Sequence, residues 1–435
     1  MELGLCQRVF LVLTARRWKR NRLSCTINLV CSMSDLAGQL KIRLDACSGA
    51  VTIHSSRPVT AARVFAGKSP AEVVRLLPTL FSLCGTAQAA ACVGACEQTL
   101  GRQPSAAVLA RRQALVHAET IKEHLWRLLL DWPRILAATQ ARSPAASAMP
   151  QVMRAFMALR QAQQAVADPF TVHPQQAEQS TAAGLDPSAL LDLVTEQALG
   201  TVPDVWLQVL DRPAAVRRWA EQTRTPAAGL VRAVFAQGLF ACGANAVARL
   251  PEAPWRWLAE SLANADADAF IAAPHWQQEC AETGPLARVA AQPLIAALLA
   301  EYGNGLLTRL MALLVDLAQS ARGLEATLDA GMDNPGSAVQ SPIKEAGVDA
   351  DAGVGIGVAE AARGLLVHRV RIAAGRVEQY QILAPTEWNF HPKGVVAQGL
   401  AAIARSGIQG PELERLARLY ITAVDPCVDY QFSVS

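Results

Sequence analysis

The stretch Leu383-Ala-Pro-Thr-Glu-Trp-Asn-Phe-His-Pro-Lys393 crowds polar groups among Pro, Trp and Phe, as the wall of a pocket does. Immediately before it, residues 364–383 alternate apolar and polar side chains like two strands joined at Ala374-Gly375. After it come two helical segments, about Gly394 to Ala404 and Pro411 to Thr422, and then Asp425-Pro-Cys427 with its lone thiol. This order of strand pair, pocket segment, helix pair and terminal thiol is the frame for the rest of the chain. It raises the question of whether Cys427 meets a thiol far upstream, near Cys84.

Upstream, Lys-Ile-Arg-Leu44 and Ala50-Val-Thr-Ile-His form a second strand pair turning near Ser48-Gly49. Ser69-Pro70-Ala-Glu72 opens a helix, with Ser69 as N-cap and Pro70 at the first helical position. Leu76, Leu77, Leu80, Phe81 and Cys84 recur along it at helical spacing. The run Gly85 to Glu97 is rich enough in small residues for close backbone approach, and Cys92 and Cys96 share one of its faces. A longer helix spans about Ala106 to Leu130 and stops at Asp131-Trp-Pro133, with His117, Glu119 and His124 on a solvated or helix-contacting face.

Between Arg134 and Leu317, Ala/Leu-rich helical segments alternate with Pro-bearing turns, and Trp206, Trp219, Trp255, Trp257 and Trp276 read as core or interface anchors. Residues 321–357 shift to Gly, Asp, Ser and Pro and read as a flexible surface loop. Within it, Gly353-Val-Gly-Ile-Gly357 has neither the preceding strand nor the Lys of a phosphate loop, so nucleotide binding is rejected. The expected class is mainly α with small antiparallel β elements (α+β), the strand pairs being edge features of one domain over 33–435.

Composition agrees: 51% hydrophobic, 18% charged and only 5% aromatic residues in 435 suit a helical core built from Ala, Leu and Val. A formal charge of +3, with Lys and Arg dispersed, argues against nucleic acid. No long uncharged apolar run argues for membrane insertion. Residues 1–32 place a basic cluster after an apolar stretch, the wrong order for a secretory signal, and read as a non-native or disordered extension preceding Met33. The ten cysteines show no disulfide framework and are expected to be reduced thiols in the cytoplasm. Cys92 and Cys96 read as core residues, because a zinc site shared with Cys84 would lack a fourth ligand. The histidines fall in no nucleophile context, so a Ser-His-Asp set is not proposed.

Glu360-Ala-Ala-Arg363-Gly364, the hairpin after it, Ala384-Pro-Thr-Glu-Trp-Asn389 and Asp425-Pro-Cys427 occur in the order of the nickel-iron hydrogenase large subunit, which this chain resembles. Leu83-Cys84-Gly85 resembles that family's Arg-x-Cys-Gly-x-Cys segment, and residues 117–132 resemble the helix that follows it. The resemblance implies a large-subunit-like helical body. In the family, two Cys-x-x-Cys pairs supply four thiolates to a nickel-iron centre. Here Ala87 and Tyr430 stand at the second positions, Ser82 replaces the family's Arg, Ala91 its His, and Ser433 the residue marking C-terminal processing. A looser alignment puts Asp45 where the family has an N-terminal Glu, with Cys47 beside it.

This combination resembles the HupK-type accessory proteins of hydrogenase assembly. The resemblance implies a non-catalytic scaffold or chaperone for a nickel-iron uptake hydrogenase, handling its iron-cyanide-carbonyl fragment or the large-subunit maturation complex. Cys84 and Cys427 are then candidate iron ligands, and Arg363, Pro385 and Thr386 line the pocket beside the diatomic ligands. The iron-cyanide-carbonyl fragment is the implied transient cargo, and hydrogenase maturation proteins or subunits are the implied partners. Two thiolates with an arginine and backbone N–H groups suit a low-valent iron carrying anionic cyanides, held weakly enough to be released. The alternatives are a divergent hydrogenase with an altered centre, or a metal-free mimic that binds maturation partners.

Overall fold

The computed structural model describes residues 38–136, 144–166, 168–172, 186–251, 255–329, 343–345 and 353–435. The expected extension at 1–32, and 330–342 and 346–352 of the expected loop, lie outside them.

The elements that position the site are β1 (Leu40–Leu44), β2 (Val51–Ser55), α1 (Pro70–Leu80), α2 (Gly85–Thr99), α3 (Ala106–Trp126) and α4 (Leu306–Asp329). They continue with β3 (Ile343–Glu345), β4 (Val354–Ala361), β5 (Gly364–Ala373), β6 (Arg376–Leu383), α5 (Pro385–Asn389), α6 (Val395–Arg405), α7 (Gly410–Val424) and β7 (Tyr430–Val434). Helices build the body, as the composition requires, and the α+β class holds. Ser69 caps α1 in a capping box with Glu72, and Pro70 is its first residue, as the sequence predicts.

The sheet β3-β4-β5-β6 is antiparallel throughout. It is no edge feature, contrary to expectation. Leu366 and Val370 of β5 and Tyr380 of β6 join a core with α1 and α2, whereas Leu365, Val367 and Leu383 face the opposite way and pack with Trp388 of α5. A strand alternating between two buried faces reads as half-exposed when its polar members, here His368 and Arg369, are themselves buried.

The expected loop over 321–357 is corrected on both flanks: α4 continues to Asp329, and β4 begins at Val354. The glycines there serve close packing instead of flexibility. A Cβ on Gly357 would stand 1.8 Å from the Ala91 carbonyl oxygen and one on Gly355 2.0 Å from that of Ala95. The Gly-x-Gly strand and the Ala-rich α2 are therefore complementary halves of one contact, and only glycine admits α2 so close to the sheet.

A second correction concerns α3. The helical path does not stop before Pro133: a π-turn over Arg127–Asp131 leads into a further turn, Trp132–Leu136. The register change accommodates a proline that lacks an N–H for the helical ladder.

The N-terminal hairpin forms as expected, but β1 also pairs in parallel with β7, Leu40 opposite Tyr430 and Leu44 opposite Val434. This pairing draws the two ends of the described chain together. The rest of the helical body packs around α3 and α4, and Trp206 and Trp219 meet edge-on within it at 5.6 Å between ring centroids, in keeping with their reading as core anchors. Among the described residues no helix is long and apolar enough to cross a membrane.

Candidate functional site

Cys84 ends a short 3-10 turn after α1 and occupies the N-cap position of α2. The open N–H groups there are held by α3: Glu119 accepts from Thr86 N at 2.9 Å and from Ala87 N at 3.0 Å. Glu119 is buried, as are His117 and His124, so this face of α3 contacts helices and is not solvated. The Cys84 thiol is half-buried. Burial, then the neighbouring Cys427 and Glu119, push it up to about 12. Cys427, 343 residues further on, is thus near enough to act electrostatically on the Cys84 thiol.

Cys427 follows the end of α7, where Asp425 adopts a left-handed φ of 63° that turns the chain back into the body. Its Sγ lies 2.7 Å from Thr386 Oγ1, and its own N–H donates to the same hydroxyl at 3.3 Å. Arg57 Nη1 donates to the sulfur at 3.1 Å while its Nε pairs with Glu387 Oε1 at 2.8 Å. Thr386 and Glu387 belong to α5, which Pro385 starts as a buried first residue. The quoted pocket segment thus presents its hydroxyl to the terminal thiol.

Arg363 sits in the tight turn between β4 and β5. The turn is buried, and its carbonyls are satisfied from outside. Arg288 donates to Ala361 O at 3.0 Å and to Ala362 O at 3.2 Å, and is anchored in turn by Asp316 of α4 at 2.7 Å. His124 of α3 meets the same Asp316 at 2.6 Å. The Arg363 guanidinium, 2% exposed, pairs with Glu123 at 2.9 Å and with Asp425 at 3.2 Å. Burial opposes its charge, but Asp425, Glu123 and the two thiols outweigh that and raise its pKa further. Burial likewise opposes the Glu123 carboxylate, which Lys122, Arg363 and Arg127 nevertheless hold at about 2. Arg363 Nη1 is buried without a hydrogen-bond partner among the described residues. A donor in that state beside two thiols suits an anionic guest.

The structure therefore sets Thr386 against Cys427 and Arg363 within electrostatic reach of both Cys84 and Cys427, with Pro385 shaping the start of α5. It does not bring Asp45 there. Asp45 holds the β1–β2 turn by accepting from Cys47 N and Ser48 N, at the opposite end of the sheet from Cys427. Cys92 and Cys96 are buried in α2, as read.

Sequence reasoning missed Arg57, Glu123, Gln88 and His368. Gln88 carried a usable signal, since it follows Cys84 by one helical turn. Arg57 carried none, because its place depends on the pairing of β1 with β7.

The residues present do not fit a four-thiolate nickel-iron centre. Ala87 uses its backbone N–H on Glu119, and Tyr430 is a strand residue paired with Leu40. Among the described residues no group of three or more His, Cys, Asp or Glu side chains is arranged to hold a metal ion. What remains is a two-thiol site with cationic neighbours.

Comparison with known proteins bears on the fold and the family. The family model described as nickel-dependent hydrogenase matches residues 220–428, the part holding Arg363, Thr386 and Cys427. A solved NAD+-reducing [NiFe]-hydrogenase in its H2-reduced state superposes with a TM-score of 0.54 at 16% identity, over 88% of this chain and 94% of that one. This likeness establishes the large-subunit fold. The hydrogenase expression/formation protein HupK of Azotobacter vinelandii is 29% identical, covering 92% of this chain and 99% of its own. The hydrogenase expression/formation protein HoxV of Cupriavidus necator is 33% identical over 406 residues, which are 91% of this chain and 95% of its own. At that identity over that share of both lengths, the chain belongs to the family of hydrogenase expression/formation proteins.

Proposed function

We propose that this chain is a non-catalytic maturation factor in the assembly of a nickel-iron hydrogenase. Its cargo is an iron-cyanide-carbonyl fragment held between Cys84 and Cys427. The observation that carries the reading is that Cys84 and Cys427 both act on the buried Arg363, whose Nη1 has no hydrogen-bond partner among the described residues. Soft sulfur donors suit low-valent iron, and charge-assisted hydrogen bonds from Arg363, with Arg57 at the Cys427 sulfur, suit bound cyanide. Two ligands instead of four favour a fragment that must be passed on. The loss of both bridging positions argues against hydrogen turnover, and free thiols that must bind iron suit a reducing compartment such as the cytoplasm. Hydrogenase maturation proteins or subunits are the partners such cargo requires.

Infrared spectroscopy of protein purified anaerobically from cells maturing hydrogenase tests the cargo. Carbonyl and cyanide stretching bands are expected in the unmodified protein and absent from Cys84→Ser and Cys427→Ser. A protein without these bands would be a metal-free mimic. Hydrogen uptake with an artificial acceptor tests for enzyme activity, and none is expected.

A further inference from the structure

Behind Cys84 runs a line of buried polar groups that the proposed function does not use. Gln88, one turn along α2 and 1% exposed, places its Nε2 3.7 Å from Cys84 Sγ, within hydrogen-bond reach of a sulfur acceptor. Its Oε1 meets His368 Nε2 at 2.9 Å, and His368 Nδ1 meets the Tyr380 hydroxyl at 2.8 Å. His368 is 0% and Tyr380 3% exposed. The two come from β5 and β6, on the sheet face that receives α2.

The chemistry of these groups gives the line a direction. Burial holds His368 neutral, with its pKa down at about 3, so one ring nitrogen donates and the other accepts. The Gln88 carbonyl can only accept, which assigns the N–H to Nε2. Nδ1 is then an acceptor and takes the Tyr380 O–H. Each group donates toward the thiol: Tyr380 to His368, His368 to Gln88, and the Gln88 amide to Cys84.

We propose that Gln88 is a positioning residue for Cys84 as a metal ligand, donating an N–H to its bound sulfur and held in that orientation by His368 and Tyr380. The role rests on the cargo reading above. An N–H donated to a metal thiolate withdraws charge from the sulfur and, through it, from the metal. A carbonyl on that metal then receives less back-donation and stretches at higher frequency. Chains of hydrogen bonds in a low-dielectric interior polarise one another, so the far hydroxyl of Tyr380 contributes in the same sense.

The test is the infrared spectrum of the cargo-loaded full-length chain. Gln88→Leu removes the donor and is expected to move the carbonyl band to lower frequency while leaving it present. Tyr380→Phe deletes one hydroxyl at the far end, keeps the ring in the core, and is expected to move the band the same way by less. A purely structural role for the line predicts no graded shift. Bands that are present and unmoved in both variants would overturn the role of Gln88 alone. An unmodified protein without a carbonyl band would remove the cargo reading and this role with it. Because Tyr380→Phe removes only one atom, the shift can be read even if Gln88→Leu does not fold.

Discussion

Cys84 takes its side-chain N–H from a neutral group, Gln88, and Cys427 from a charged one, Arg57. On the first side Gln88, His368 and Tyr380 are almost wholly buried. On the second, Arg57 donates to the sulfur while its side chain and that of its partner Glu387 remain 13% and 10% exposed. Cys84 is positioned by the seam between α2 and the sheet, where any displacement leaves buried donors unpaired. Cys427 is positioned by an ion pair nearer the surface and by a chain terminus stitched in through β7. One half of the site is therefore set by the core and the other by its rim. Arg363, whose charge acts on both thiols, joins them.

Four changes should act differently on the two halves of the site. The largest effect is expected from Gly357→Ala, because the new Cβ would sit 1.8 Å from a backbone oxygen of α2 and 2.6 Å from a backbone nitrogen. Overpacking against backbone should cost about 3 kcal/mol or more in urea denaturation. Maleimide labelling mapped by mass spectrometry should rise at Cys84 and stay constant at Cys427.

Arg363→Met strikes the element shared by both sides, leaving Glu123 to Lys122 alone and Asp425 to Arg127 alone, with negative charge in excess. Breaking a buried pair in this way costs about 3–5 kcal/mol. Adding Glu123→Gln should recover part of the loss, since it removes one of the excess negative charges while Lys122 keeps Glu119 as an anionic neighbour. A double variant no more stable than the single one would show that the network does not act as a unit.

Acid should loosen the Cys84 side selectively. Burial holds His368 at about 3 and His117, with Arg288 adding to the effect and Asp316 opposing it, at about 4. Unfolded, each takes up a proton near pH 6.5, so the unfolded chain binds more protons below that pH. The stability contributed by these neutral rings is complete above pH 6.5 and is lost as pH falls toward 4 and then 3. By pH 5 the loss should be about 1–2 kcal/mol for each histidine, measured as a falling denaturation midpoint. His368→Gln should flatten this slope, whereas Arg57→Gln should leave it unchanged.

The smallest effect belongs to the rim. Arg57→Gln removes a largely buried ion pair at the edge of the core and a donor to sulfur, and should cost about 1–2 kcal/mol in stability. Labelling at Cys427 should change while labelling at Cys84 does not. Equal changes at both thiols would mean that the two sides are not independent.

Much of this was legible before the structure. Helices showed through their 3.6-residue periodicity, and α1 showed through Ser69, Pro70 and Glu72, because caps and periodicity are local. The sheet was partly hidden. Glycines in 353–357 imitate a linker, and their meaning appears only when the alanines of α2, more than 250 residues upstream, lie against them. Likewise Pro133 suggested a stop that a π-turn avoids.

The loss of four thiolate positions to two was settled by residue identity alone, since no folding can restore a sulfur at Ala87 or Tyr430. Where the surviving pair sits, and what holds each member, was decided by tertiary structure. Gln88 and His368 meet across 280 residues, and Arg57 and Cys427 across 370. Contacts of that span come from sheet–helix packing and parallel strand pairing, and neither leaves a local spacing to read.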